Sequence, residues 1–382
     1  MQQDRHSRCR VPEPVEGRGL WALVLLTAFG CAPDAGTHPT PETGSALVVT
    51  TDYESGAYAA VDPASLTAVP TIDLIHKDAI CRADPITGRT FIVSRLGADA
   101  IEVVDTADTW DVVAEYSLGA GTNPQDIAVV SPDRAYVARY TEPSLLVVDP
   151  LTGAQLGTVD LSAYADADGS PEAAWMLAHG DRLYVAIQKL DKIGHYAVTG
   201  PSSVLVLDAA TGDVLKERVL AGANMYGQMR WAPSIGRVPL VIVGAFGALD
   251  GGVQLLDPAD DSLSPYVVTE QALGGDLSDA VIASATRGYA VVGVSAGGGE
   301  ATRLVAFDPS SGAVGATLIE SAGWELGFLA LTPDGRELWV ADRAPAHPGV
   351  RVFDAASGEE LLDAPIDVGL PPFMICFPGT ED

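Results

Sequence analysis

The chain has 382 residues, with 22 Lys+Arg against 51 Asp+Glu and a formal net charge of −29. That balance excludes an ordinary nucleic-acid binder, whose affinity rests on Lys and Arg neutralising phosphates, and broad contact with an anionic membrane surface. At 47% hydrophobic and 19% charged the chain is not disordered as a whole, its 40 Gly and 26 Pro favour β architecture rich in turns, and four cysteines are too few for a disulfide scaffold.

Residues 20–29 read LWALVLLTAF, a ten-residue apolar stretch preceded by Arg5, Arg8, Arg10 and Arg18. Ten residues cannot span a bilayer as a helix, which needs roughly 20, but they suit the core of an export signal. Ala28-Phe29-Gly30-Cys31 follows and resembles a bacterial lipobox, with Cys31 as the lipid-bearing residue. A plain secretory signal with an incidental cysteine is the competing reading. Residue 32 is Ala and not Asp, which by resemblance to Gram-negative lipoproteins favours the outer membrane. The Pro/Thr/Gly-rich stretch up to residue 45 shows no periodicity and is expected to be a disordered tether. The expected organisation is therefore a signal peptide over 1–30, a lipid-anchored tether over 31–45 and one domain over 46–378.

From residue 46 onward the chain repeats. Seven apolar runs end in Asp followed by turn residues, with the aspartates at 62, 105, 149, 208, 257, 308 and 354. Examples are LVVDPLTG around Asp149 and LVLDAATG around Asp208. Asp binds its own turn backbone and Gly supplies positive φ, so each segment predicts strand, turn, strand. Two more apolar runs lie upstream of each, as in DIAVV and AYVAR split by Ser131-Pro132-Asp133. Four short strands in about 45 residues is the spacing of a propeller blade. Residues 336–341 (RELWVA) and 203–208 (SVLVLD) are the segments that most resemble the YVTN family of seven-bladed propellers. The resemblance covers about residues 46–378 and implies an all-β fold; it implies little about function.

The first repeat lacks an inner strand, while residues 372–377 are left over at the end. Placing that strand inside the first blade completes seven four-stranded blades and leaves no sheet edge open at the seam. Cys81 then lies on the inner strand of blade two and Cys376 on the neighbouring closing strand. In an exported protein this points to a disulfide, with two buried free thiols as the alternative.

Second strands end in Arg in three blades: Arg95 in IVSR, Arg139 in YVAR and Arg343 in VADR. Propeller topology puts these ends on the face around the channel mouth, with His76, Tyr140 and Trp324 beside them. Guanidinium forks there suit a carboxylate or phosphate. The competing reading has each Arg paired with a local acid such as Asp78, Asp126 or Glu142. The longest loop on that face, residues 188–202, carries Lys189, Lys192, His195 and Tyr196, two of the chain's four lysines.

Metal and catalytic motifs are weak. The histidines after residue 31 are isolated, no Ser/His/Asp set or phosphate loop can be assembled, and no cofactor is expected. Asp166 and Asp168 sit in an insert resembling half a calcium loop, against which stands a solvated acidic loop. The expected function is a non-enzymatic, lipid-anchored envelope propeller that binds a small anionic or polar ligand, or an envelope protein. No nucleic-acid contact is expected, membrane contact comes only through the lipid, and the protein is expected to be a monomer. The alternatives are a propeller enzyme, lactonase-like or quinoprotein-like, or an accessory subunit of an envelope complex.

Overall fold

The alternating apolar runs pair into seven antiparallel sheets set around one axis, a seven-bladed β-propeller. The computed structural model describes residues 40–296 and 299–379. The expected signal peptide, the lipidation residue Cys31 and most of the tether lie outside the described residues.

Blade two is the plainest, with strands Ala79–Asp84, Arg89–Ser94, Ala100–Val104 and Val112–Ser117 running from axis to rim. Blades three, four and six follow the same order. Two blades are irregular. In blade five, residues 224–232 take the inner position through isolated bridges such as Met225 to Ile242. Gly227 there passes so close to Val241 that a Cβ would lie 2.6 Å from its Cβ, which explains the break in strand pattern. In blade seven the outer strand is reduced to bridges from Glu360 and Ile366.

The repeated aspartates work as their turn chemistry demands. The carboxylates of Asp149, Asp208 and Asp354 each accept from two backbone N–H groups, two and three residues on. Asp105 is the exception: its carboxylate pairs with Arg89, and buried Trp110 fills a longer hairpin. The hairpins also tie blades together. Tyr136 donates to Ala209 O (3.0 Å), Tyr184 to Asp261 (3.1 Å) and Tyr289 to Ala355 O (2.9 Å), each reaching the next blade's hairpin.

The ring closes inside blade one. Pro372–Cys376 pairs antiparallel with Ala46–Thr51 in the register Leu47 to Cys376 and Val49 to Met374. Beside that seam a disulfide joins Cys81 to Cys376, with Cα atoms 6.2 Å apart.

Two buried ion pairs span three inner strands each. Arg82 of blade two donates through Nε and Nη2 to Asp126 of blade three, and Asp126 accepts from Met176 N of blade four (2.7 Å). The same pattern recurs on the far side, where Arg230 clamps Asp279 and Asp279 accepts from Leu329 N (2.9 Å). Each aspartate thus fixes the spacing of neighbouring blades at the axis.

Candidate functional site

Antiparallel blades put the loops between second and third strands, and the connections between blades, on one face. On that face the axis opens into a cavity of about 720 Å³, a size typical of small-molecule sites. Inner strands supply its innermost aromatic side chains. Trp175 of blade four meets Phe328 of blade seven edge-on at 5.7 Å, and Phe328 meets Phe373 of the closing strand at 5.4 Å. Tyr226, at the inner position of blade five, and the loop residues Tyr53, Tyr140, Tyr196, Phe246 and Trp324 supply the walls. Trp324 lies against Gly293, where a Cβ would fall 2.1 Å from its ring, so only glycine allows this placement. Phe246 and Trp324 are 61% and 48% exposed, with Phe246 edge-on to Tyr226 at 6.0 Å, so both present apolar surface to the cavity.

The charged groups of the cavity differ in how they are partnered. Arg95 donates through Nε to Asp78 (2.8 Å) and through Nη1 to Gln125 (3.3 Å), so Asp78 and Arg95 neutralise one another. Asp279 is held by Arg230. Arg343 has no carboxylate partner among the described residues. Its Nη1 donates to the carbonyls of Pro371 and Pro372 and its Nη2 to Thr51 O (3.0 Å). The guanidinium also lies 4.6 Å from the Tyr53 ring and 5.9 Å from that of Phe373. Burial pulls its pKa below the ordinary arginine value, while Tyr53 and Asp52 oppose that shift.

Of the six residues expected at the mouth, Arg95, Arg343, Tyr140 and Trp324 line the cavity. Arg139 and His76 do not. Arg139 turns toward the third strand of its own blade and donates to Ser144 Oγ (3.1 Å), so the three arginines do not converge. His76 stays local, its Nδ1 3.2 Å from Asp78 O. The cause in both cases is local: a polar partner lies within a few residues, and a single position along a strand end reverses which way a side chain points.

The 188–202 loop overhangs the cavity through Leu190 and Tyr196. Its tip is a short hairpin pairing Leu190–Asp191 with Ala197–Val198. The lysines do not face the cavity: Lys189 bonds Glu217 and Ser203, and Lys192 approaches Asp168. Asp166 and Asp168 hold this loop, accepting from Thr199 Oγ1 and from Lys192 N. Among the described residues no three His, Cys, Asp or Glu side chains form a metal-holding group. At the loop's base Glu172 is buried and accepts from Leu190 N (3.0 Å), and Gln188 accepts from the Tyr140 hydroxyl (2.8 Å).

Sequence reading missed Trp175, Phe328, Phe246 and Asp279 as cavity residues, while Asp78 was anticipated as a partner for a mouth arginine and is the partner of Arg95. The alternation of inner strands could have shown Trp175 and Phe328 facing the channel, had their register been known. Phe246 sits in the glycine-rich segment GAFGALDGG, where no periodicity exists to read.

No protein-family model matches the chain, and no curated protein matches it. Solved structures do. Dihydro-heme d1 dehydrogenase NirN, in complex with DHE, superposes with a TM-score of 0.56 at 15% identity over 90% of this chain and 78% of that one. Hydrazine synthase of Kuenenia stuttgartiensis gives 0.57 at 16%, over 80% and 92%. A putative 6-phosphogluconolactonase from Bacteroides uniformis gives 0.57 at 14%, over 87% and 99%. The likeness is one of fold. These propellers differ in described activity, so the site must be argued from its own residues.

Glu172 and Glu270 give the protein a readable pH dependence. Burial pushes both carboxyls up to about 7, and it does the same to Glu102, helped by the charge of Glu115. A folded-state pKa above the unfolded one means the folded protein holds the proton more tightly. The destabilisation is complete above pH 7 and disappears as pH falls toward the unfolded value near 4.5. The turn aspartates act oppositely: hydrogen bonds lower Asp62, Asp208, Asp308 and Asp354, and their contribution is lost below about pH 4. Thermal melts should therefore show maximal stability at about pH 5. The triple change Glu102→Gln, Glu172→Gln, Glu270→Gln should flatten the fall between pH 5 and 7.5.

Proposed function

We propose that this protein is a non-catalytic binding propeller of the cell envelope that holds a small organic ligand in its axial cavity. The observation that carries the reading is the cavity itself, about 720 Å³, walled by aromatic side chains from five blades. Its carboxylates support binding over acid–base chemistry. Asp78 is paired with Arg95, and Asp279 has both oxygens on Arg230. A carboxylate engaged in this way is a poor proton shuttle, because proton uptake would forfeit the ion pair.

In this reading export and a lipid on Cys31 place the propeller at the outer membrane, with the tether over 31–45 giving it reach. The lipobox resemblance at 28–31 supports that placement. Changing Cys31→Ser should release the protein into the soluble fraction and abolish lipid labelling; unchanged attachment would contradict the anchor. The resemblance to YVTN propellers supports the ring and leaves the ligand open.

The ligand claim is tested by purifying the protein from its host under mild conditions and extracting what it retains for mass spectrometry. The wild type should carry a small molecule that the double variant Tyr226→Ala, Trp324→Ala lacks. Equal retention by both would place the ligand elsewhere.

A further inference from the structure

We infer that the ligand is a ring-bearing acid, whose flat apolar part lies among the cavity aromatics and whose carboxylate docks on Arg343. The inference rests on the binding reading above and names its ligand class. Three observations combine to support it.

The first is charge. Asp78 cancels Arg95, and Arg230 cancels Asp279, which leaves Arg343 at the cavity wall with no carboxylate in direct contact among the described residues, Asp52 acting on it only from farther off. Keeping one cation without a carboxylate is costly in a half-buried place, and a chain at −29 has acids to spare.

The second is donor geometry. A guanidinium has five N–H donors. Three are directed at the carbonyls of Thr51, Pro371 and Pro372, which hold the group in place. The two left over among the described residues lie on Nε and Nη2. Arg82 uses those same two atoms to grip Asp126 in this protein. Held by three carbonyls and with no partner on Nε among the described residues, the Arg343 guanidinium is fixed in advance and has donor capacity left for a carboxylate.

The third is the wall beside it. Tyr53 and Phe373 flank the guanidinium, and Phe373 continues edge-on into Phe328 and Trp175. Rings beside the cation suit a molecule that is flat and apolar next to its carboxylate. An inorganic anion would meet the cation and leave these rings unused; a neutral aromatic would do the reverse.

The test uses a matched pair, naphthalene-2-carboxylate and naphthalene-2-carboxamide, with dissociation constants from ligand-observed NMR on the full chain. The wild type should prefer the acid by about ten-fold, as expected for a charge-assisted bidentate contact. Arg343→Gln should reduce that preference to near unity, read as the ratio of acid to amide affinity within the variant. Because Arg343 also braces three carbonyls, Arg343→Lys provides a second variant and should retain part of the preference. Equal binding of acid and amide by the wild type would overturn the inference and leave the cavity reading standing, provided Trp324→Ala weakens both. Failure of both probes to bind at millimolar concentration would overturn the inference, and together with an empty extract from the host protein would remove the cavity reading as well.

Discussion

Replacing Cys81 and Cys376 together by serine should lower the unfolding temperature by roughly 5–10 °C without changing the fold. The two residues are 295 apart in sequence, so the bond closes almost the whole domain into one loop. Cross-links over such loops constrain the unfolded chain most, and losing one costs about 2–5 kcal/mol. In a domain of this size each kcal/mol moves the midpoint by about 2 °C. The ring should stay closed, because Pro372–Cys376 remains hydrogen-bonded to Ala46–Thr51. Calorimetry of the oxidised wild type, the reduced wild type and the double serine variant checks this. Identical midpoints for all three would show that the bond adds nothing.

A larger loss should follow from Arg82→Met. Asp126 has no exposed surface, and burial already pushes its carboxyl up against the pull of Arg82; without that partner it must either stay charged with only the N–H groups of Met176 and Ile127 as donors or take up a proton at a cost in stability. Breaking one side of a buried pair typically costs about 3–5 kcal/mol. Urea unfolding should show that loss, and the double change Arg82→Met, Asp126→Asn should recover part of it by removing the stranded charge. If Arg82→Met unfolds at the wild-type urea concentration, the pair does not tie the inner strands as described.

The ring was readable because its repeat is written in turn chemistry. Asp149 with Gly153 and Asp208 with Gly212 announce their hairpins in the letters themselves, and the positive φ of both glycines meets that demand. The closing strand was readable for a similar reason, since one unpaired strand and one missing strand have a single economical solution. The site was legible only in part. Tyr140, Trp324, Arg95 and Arg343 were placed by counting to the end of a second strand or to a connection. The same count misplaced Arg139, because Ser144 across the hairpin offers a nearer acceptor than the cavity does. Asp126 was considered as a partner for the mouth arginines and belongs instead to Arg82, one blade earlier. Pairings between blades depend on how adjacent sheets are rotated about the axis, and a linear pattern holds no record of that angle.

In the reading we propose, the axial cavity is where the protein meets its ligand. A crystal structure of the protein purified from its host, carrying what it retains, tests this most directly. A molecule bound at the axis is expected, its ring among Trp175, Phe328 and Phe373 and its acidic group on Arg343. A retained molecule on a blade's outer edge or on the opposite face, with the cavity holding only water, would contradict it.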